Sequence, residues 1–233
     1  MVNKTKEKKI MEKKSLNFVL IGRSGCGKGT QVKLLMEHFN NLVSISTGDL
    51  FRDLARRKTA VGKIIKKTIT EGGLPYDDLA ITLWMHAIAY RVKENEGIIA
   101  DGMPRRVNEA KALDRFLVFL GREDSFFPIL LDISRQEAFN RLTKRRICRK
   151  CGNLIPWIGK FKKLVVCNKC GGGLVYRPDD RPEAIKNRLD YYDKRASKVA
   201  DYYKKKKKLI KINGEQPIEK VFADILKEVE KKI

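Results

Sequence analysis

Short apolar runs alternate with stretches of helical spacing along most of this chain. Phe18-Val19-Leu20-Ile21, Leu42-Val43-Ser44-Ile45, Gly97-Ile98-Ile99-Ala100-Asp101, Phe127-Pro128-Ile129-Leu130-Leu131-Asp132-Ile133 and Leu209-Ile210-Lys211-Ile212 read as five strands. Helical spacing follows the first run, through Val32, Leu34, Leu35 and Phe39, and recurs over 49–71, 77–92 and 108–120. A long helix is expected from Arg181-Pro182 and a final one from about Pro217. Short apolar strands separated by helices predict an α/β fold with a parallel sheet covered on both faces. Ligands bind such sheets at the strands' carboxyl ends, where Gly22, Ser46 and Asp101 fall. Residues 147–176 break the alternation: they are rich in Cys, Gly and Lys, lack helical periodicity, and read as an inserted module.

The turn after the first strand is Gly22-Arg23-Ser24-Gly25-Cys26-Gly27-Lys28-Gly29-Thr30. A strand, a glycine-rich turn and a helix N-terminus in that order make a phosphate cradle. Glycine lets backbone N–H groups approach an anion closely, and Lys28 is placed to reach the outer phosphates. The hydroxyl that usually follows the lysine directly comes one place later, at Thr30, with Gly29 between. A plain tight turn with a surface lysine would need neither flanking element.

Inside the insert, Cys148-x2-Cys151 and Cys167-x2-Cys170 are separated by fifteen intervening residues. That is the spacing of a four-cysteine zinc ribbon. Four thiolates saturate a tetrahedral ion and leave no place for water, so a structural Zn2+ is expected. So small a module cannot hold a core alone, and the metal would supply its folding energy.

Composition changes this picture little. At 233 residues with 42% hydrophobic residues the chain can bury a full core. No apolar stretch approaches bilayer length, so no membrane partner is expected. The net charge of +23 draws the chain toward polyanions, nucleotides among them. Part of the excess lies in residues 1–15, read as a disordered basic tail without the apolar core of an export signal, and part in the lysine run 204–208. Without an export signal, disulfides among the five cysteines are not expected and a reducing cytoplasm is the default. The insert is basic, but only Trp157 and Phe161 interleave its lysines, which is thin for nucleic-acid stacking.

Phosphoryl transfer needs cations around the equatorial oxygens and an acid for Mg2+. Arginine suits the first task because its planar fork binds phosphate bidentately. Arg52, Arg105, Arg141, Arg145, Arg177 and Arg188 stand at element ends or beside the insert. Asp101 ends a buried-type strand, where an acid needs a cation nearby. Asp179 and Asp180 are placed either to cap the following helix or to join this group.

Together these residues resemble the adenylate kinase family, in its long form with a zinc-binding lid. The resemblance rests on residues 22–31 with Gly-Lys-Gly-Thr, Ser46-Thr47-Gly48-Asp49 with Arg52, and Asp101-Gly102-Met103-Pro104-Arg105. It extends to residues 141–146, the cysteine module with Arg177-Pro178-Asp179-Asp180, and Asn213-Gly214-Glu215. It implies a P-loop three-layer fold with a five-stranded parallel sheet and an inserted zinc-ribbon lid. It also implies the reaction MgATP + AMP ⇌ 2 ADP. By resemblance Gly25, Cys26, Gly27, Lys28, Gly29 and Thr30 hold the ATP phosphates. Arg141 and the backbone after Gly214, at Gln216, border the ATP base. Thr47, Pro75, Gly102 and Glu109 line the AMP site, and Arg52 and Arg105 hold the AMP phosphate. Arg145, Arg177 and Arg188 close on the phosphates, and Asp101 holds Mg2+ through water. The implied division is a core of 16–46, 75–145 and 178–233, an acceptor lobe of 47–74 and a lid of 146–177, working as a monomer with no obligate nucleic acid.

The sequence departs from the family at two places of consequence. The usual Asp-Gly-Phe-Pro-Arg-Thr reads Asp101-Gly102-Met103-Pro104-Arg105-Arg106. Glu109 stands where a glutamine usually reads the AMP base. An ionised carboxylate only accepts hydrogen bonds, so it suits adenine N6–H2 but faces the N1 lone pair, whereas guanine offers two donors. Thr47 argues for AMP. Two other readings stay open at this point: a related kinase using GMP or UMP, and a basic zinc-ribbon nucleic-acid-binding protein.

Overall fold

The computed structural model describes residues 15–177 and 180–233. Its centre is a five-stranded parallel sheet of β1 (Asn17–Ile21), β2 (Leu42–Ser46), β3 (Gly97–Asp101), β4 (Phe126–Asp132) and β8 (Ile210–Asn213), ordered β2-β3-β1-β4-β8. Register aligns the carboxyl ends: Leu20 lies beside Asp101 and Ile129, and Ser46 also pairs with Asp101.

Each continuous apolar run divides between two cores because strand side chains point alternately to opposite faces. Phe18, Leu20, Ile129 and Leu131 pack with Leu35 of α1 (Lys28–His38) and with Val221 and Ile225 of α9 (Ile218–Glu230). Val19, Ile21 and Leu130 face Trp84 of α4 (Asp77–Arg91), Leu113 of α5 (Val107–Phe119) and Tyr203 of α8 (Ser197–Lys205). Burying one such large side chain contributes about 1.5–3 kcal/mol. The strands are thus fixed from both sides, and the loops at their carboxyl ends sit on a rigid base.

The helix expected over 49–71 is two helices, α2 (Thr47–Ala55) and α3 (Ala60–Thr70). Thr59 caps the second, its Oγ1 accepting from Gly62 N–H at 3.0 Å. The corner is so tight that a Cβ on Gly62 would lie 2.3 Å from the Arg57 carbonyl oxygen. Phe51, Ile65 and Ala80 form a small core of their own between α2, α3 and α4.

The insert is a three-stranded antiparallel sheet, β6 (Leu154–Ile155), β5 (Arg146–Cys148) and β7 (Leu174–Tyr176). It follows α6 (Arg135–Thr143) and leads toward α7 (Pro182–Tyr191), which continues through a π-helical turn at Tyr192–Ala196 into α8. Asp180 does not cap α7: Arg181 occupies that position without a side-chain cap. The basic tail, Pro178 and Asp179 lie outside the described residues. No helix among the described residues is long and apolar enough to cross a membrane.

Candidate functional site

The glycine loop is built as its composition requires. A Cβ on Gly22 would lie 2.5 Å from the Leu131 carbonyl oxygen and 2.7 Å from Cys26 Sγ, so only glycine fits between β1 and β4. Gly27 is the N-cap of α1 with φ 101°, a left-handed conformation that favours glycine. Lys28 folds back over the loop, its Nζ donating to the carbonyls of Gly22 at 2.9 Å and Arg23 at 3.0 Å. Loop amides, the positive helix end and an ammonium group therefore share one concavity.

A second loop leaves β3 beside it. Arg105 Nε donates to the Gly102 carbonyl at 2.7 Å, holding the guanidinium at the strand's carboxyl end. Desolvation pulls Arg105 below the usual arginine range, and the nearby carboxylates of Asp101 and Glu109 oppose that shift. Lys28, Gly102, Arg105 and Arg188 line a single cleft, with Tyr191 and Tyr192 closing one side. Asp101 faces the start of α1: its Oδ2 would lie 3.7 Å from a Cβ on Gly29. A carboxylate there, beside a phosphate cradle, fits a hydrated divalent cation.

Arg145 and Arg188 are joined by Asp180. Arg145 donates from Nε and Nη2 to the two carboxylate oxygens at 2.7 and 2.8 Å, and Arg188 Nη2 donates to Oδ1 at 2.7 Å. The Asp180 side chain is 2% exposed. One buried carboxylate thus holds two cations, one from the end of α6 and one from α7, across the base of the insert. Burial lowers the Arg145 pKa and the Asp180 carboxylate counters it. Arg177, at the end of β7, is close enough to act electrostatically on Asp49 of α2.

The four cysteines meet. Their sulfur atoms all lie within 4.8 Å of one another, with Cys148–Cys170 at 3.5 Å and Cys151–Cys167 at 3.7 Å. A tetrahedral zinc with bonds of about 2.3 Å sets its sulfurs about 3.8 Å apart. Burial alone would raise the Cys167 thiol, but the N–H groups of Lys169 and Cys170 hold it down to about 6. The donor set and its spacing fit zinc. Trp157 is stacked beneath Lys144 and Arg146, at 5.6 and 5.7 Å, which engages its ring within the protein.

The adenylate kinase family model matches residues 20–208, spanning the cradle, the arginines and the cysteine module. The chain belongs to the adenylate kinase family. It is 42% identical over 217 residues to an adenylate kinase of Methanocella arvoryzae, covering 90% of this chain and 96% of that protein. It is 38% identical over 215 residues to one of Clostridium acetobutylicum, covering 90% and 97%. With one of Thermosipho africanus it shares 35% over 212 residues, covering 91% and 98%.

Six other residues expected in an adenylate kinase site, Arg141, Gln216, Thr47, Arg52, Pro75 and Glu109, are not among those lining this cleft. Arg141 is buried, with Nε donating to Glu137 at 2.6 Å and Nη2 to the Gly214 carbonyl at 3.0 Å, so it and the β8 loop form one surface. Gln216 turns away, its Nε2 donating to Asn213 O and to Asp224 at 3.0 and 2.9 Å, leaving its backbone on the loop. Thr47 opens α2 and is 2% exposed, with no partner for Oγ1 among the described residues. Arg52 pairs with Asp49 on its own helix and does not line the cleft. Pro75 accepts from Arg106. Glu109 reaches neither Arg106 nor a lysine: its Oε2 accepts from Arg105 N–H at 3.1 Å, bracing the loop from the first turn of α5. Sequence reading missed Arg23, which stacks on Tyr192 at 4.8 Å and pairs with Asp193 at 2.7 Å. It also missed Tyr191. No local pattern marks either, because their partners are remote in the chain.

Proposed function

We propose that the chain transfers the terminal phosphoryl group of ATP to AMP, reversibly, giving two ADP. The observation that carries this reading is the shared cleft of Lys28, Gly102, Arg105 and Arg188 at the sheet's carboxyl ends. The transferring group spreads negative charge over its equatorial oxygens, and preorganised cations stabilise that charge most when they need not move.

Lys28 and the N–H groups of residues 25–30 take the ATP phosphates, while Arg141 and the backbone at Gln216 frame the donor base. Arg52 and Arg105 take the AMP phosphate, with Thr47, Pro75, Gly102 and Glu109 around the acceptor. The buried hydroxyl of Thr47 is a group a base could bond. An oxygen of the AMP phosphate attacks the γ-phosphorus, the bond to the β–γ bridging oxygen breaks, and its electron pair leaves with ADP. Arg145, Arg177 and Arg188 neutralise the charge that develops, and Asp180 holds two of them ready. Mg2+, when present with ATP, would neutralise phosphate charge beside Asp101.

The small core of Phe51 and Ile65 supports 47–74 as an acceptor lobe, and the cysteine sheet supports 146–177 as a zinc lid. Zinc on four thiolates suits the reducing cytoplasm. Both nucleotide sites are built from one chain, which fits a monomer. A coupled ADP-formation assay with MgATP across nucleoside monophosphates tests the whole reading. AMP should be the preferred acceptor, and absence of AMP-dependent ADP formation would overturn it.

A further inference from the structure

Arg106 lies at the N-cap of α5 yet makes no side-chain cap there. Its guanidinium is spent elsewhere, on two segments remote from its own loop. Nη1 donates to the Pro75 carbonyl at 3.0 Å and pairs with the Asp77 carboxylate. Nε donates to the Tyr191 hydroxyl, and the guanidinium carbon stands 5.5 Å from the Tyr191 ring centroid. The Arg106 and Asp77 side chains are only 20% and 25% exposed, so this ion pair is better shielded than a surface one.

These two and the loop that carries Arg106 are the segments that must be aligned for transfer. Pro75 and Asp77 end the path by which the chain passes from α3 to α4. Arg106 itself adjoins Arg105, and Tyr191 shares α7 with Arg188. The same face of α7 meets this path again further up. Asn187 Nδ2 donates to the Glu71 carbonyl at 3.0 Å, and a Cβ on Gly72 would lie 2.6 Å from the Ala184 carbonyl oxygen. Ala184, Asn187 and Tyr191 follow at helical spacing, so one stripe of α7 seats the segment 71–77 along its length. Arg106 fastens the lower end of that seat to the loop carrying Arg105.

We propose that Arg106 is a positioning residue for the acceptor: it fixes the exit of the acceptor lobe against α7 and thereby sets where AMP lies relative to Arg105 and Arg188. This rests on the acceptor reading above. It makes a selective claim, because Arg106 contacts nothing in the glycine loop or at the Arg141–Gly214 surface. A lysine could satisfy Asp77 or Pro75 but could not also donate to Tyr191 from a planar fork.

The test measures KM for AMP and for ATP, with kcat, in the full chain and in Arg106→Ala, Arg106→Lys and Tyr191→Phe, each checked by thermal unfolding. Parent activity with AMP is established first, since its absence would defeat the underlying reading rather than this one. Arg106→Ala should raise KM for AMP about tenfold and leave KM for ATP within about twofold. Arg106→Lys should fall between it and the parent. Tyr191→Phe removes one hydroxyl and keeps the ring; it should raise KM for AMP by a few fold and add little to Arg106→Ala in the double variant. If Arg106→Ala does not fold, Tyr191→Phe and Arg106→Lys decide alone. Unchanged KM for AMP in folded variants, or equal changes for both nucleotides, would overturn the proposal.

Discussion

Lys28 Nζ lies 2.9 Å from the carbonyl oxygen of Gly22, six residues earlier at the mouth of the same loop. The ammonium is thus held over the concavity by its own backbone, where a phosphate oxygen can replace the carbonyl. Lys28→Met keeps the aliphatic stem and removes the charge. Turnover should fall about 10³-fold or more, roughly 4 kcal/mol of transition-state stabilisation, with the melting temperature little changed. Steady-state rates and melting curves on one preparation check this, and near-parent turnover would remove Lys28 from the mechanism.

Asp180 is the counter-charge for two arginines and is almost wholly buried. Removing one member of a buried ion group leaves the others uncompensated, at a cost of about 3–5 kcal/mol. Asp180→Ala should therefore lose stability and turnover together, whereas Lys28→Met loses only turnover. Chemical denaturation compares them; a fully stable Asp180→Ala would show that solvent, not the carboxylate, balances Arg145 and Arg188.

The cysteine cluster predicts about one zinc per chain by metal analysis. Chelation, or Cys148→Ser, should loosen residues 146–177 and lower the melting temperature, because the small sheet there buries little apolar surface of its own. Metal-free parent protein whose melting curve ignores chelators would contradict the zinc assignment.

Burial raises the Glu109 carboxyl above its ordinary value of 4.5, against the opposing effects of the Arg105 N–H and the Arg105 and Arg106 guanidinium groups. Below pH 4.5 the group is protonated both folded and unfolded and costs nothing. As pH rises through the folded value, the folded chain must ionise a buried group and stability is lost. Glu109→Gln can still accept from Arg105 N–H and does not titrate. Its stability advantage over the parent should be absent below about pH 4.5 and grow toward neutral pH. Melting temperatures from pH 4 to 8 read this directly, and an advantage that shrinks with rising pH would show the opposite sign.

Much of the site is chemistry written in short segments. The cradle needs residues 22–30 between a strand and a helix, and the zinc cluster needs two Cys-x2-Cys pairs. Both depend on interactions within a few residues, so type and spacing suffice to read them. The strands were legible for a related reason: burial on both faces leaves a continuous apolar run.

One misreading and one choice left open share a different cause. The break of one expected helix into α2 and α3 turns on Thr59 and Gly62, whose cap and close approach look like ordinary helix residues without the corner they make. Asp180 suits either a cap before Pro182 or a partner for the arginines, and only the fold decides for Arg145, 35 residues away.

The sequence alone determined the α/β class, the phosphate cradle, the metal-type cluster and the kinds of charge around them. Only the tertiary structure decided which charges meet. Arg106 reaches Tyr191 across 85 residues and Arg23 reaches Asp193 across 170. Such pairs leave no periodicity, because their geometry is set by how the two sheet faces are packed. A lone arginine beside a helix start looks the same in sequence whether it meets water, a phosphate or a tyrosine.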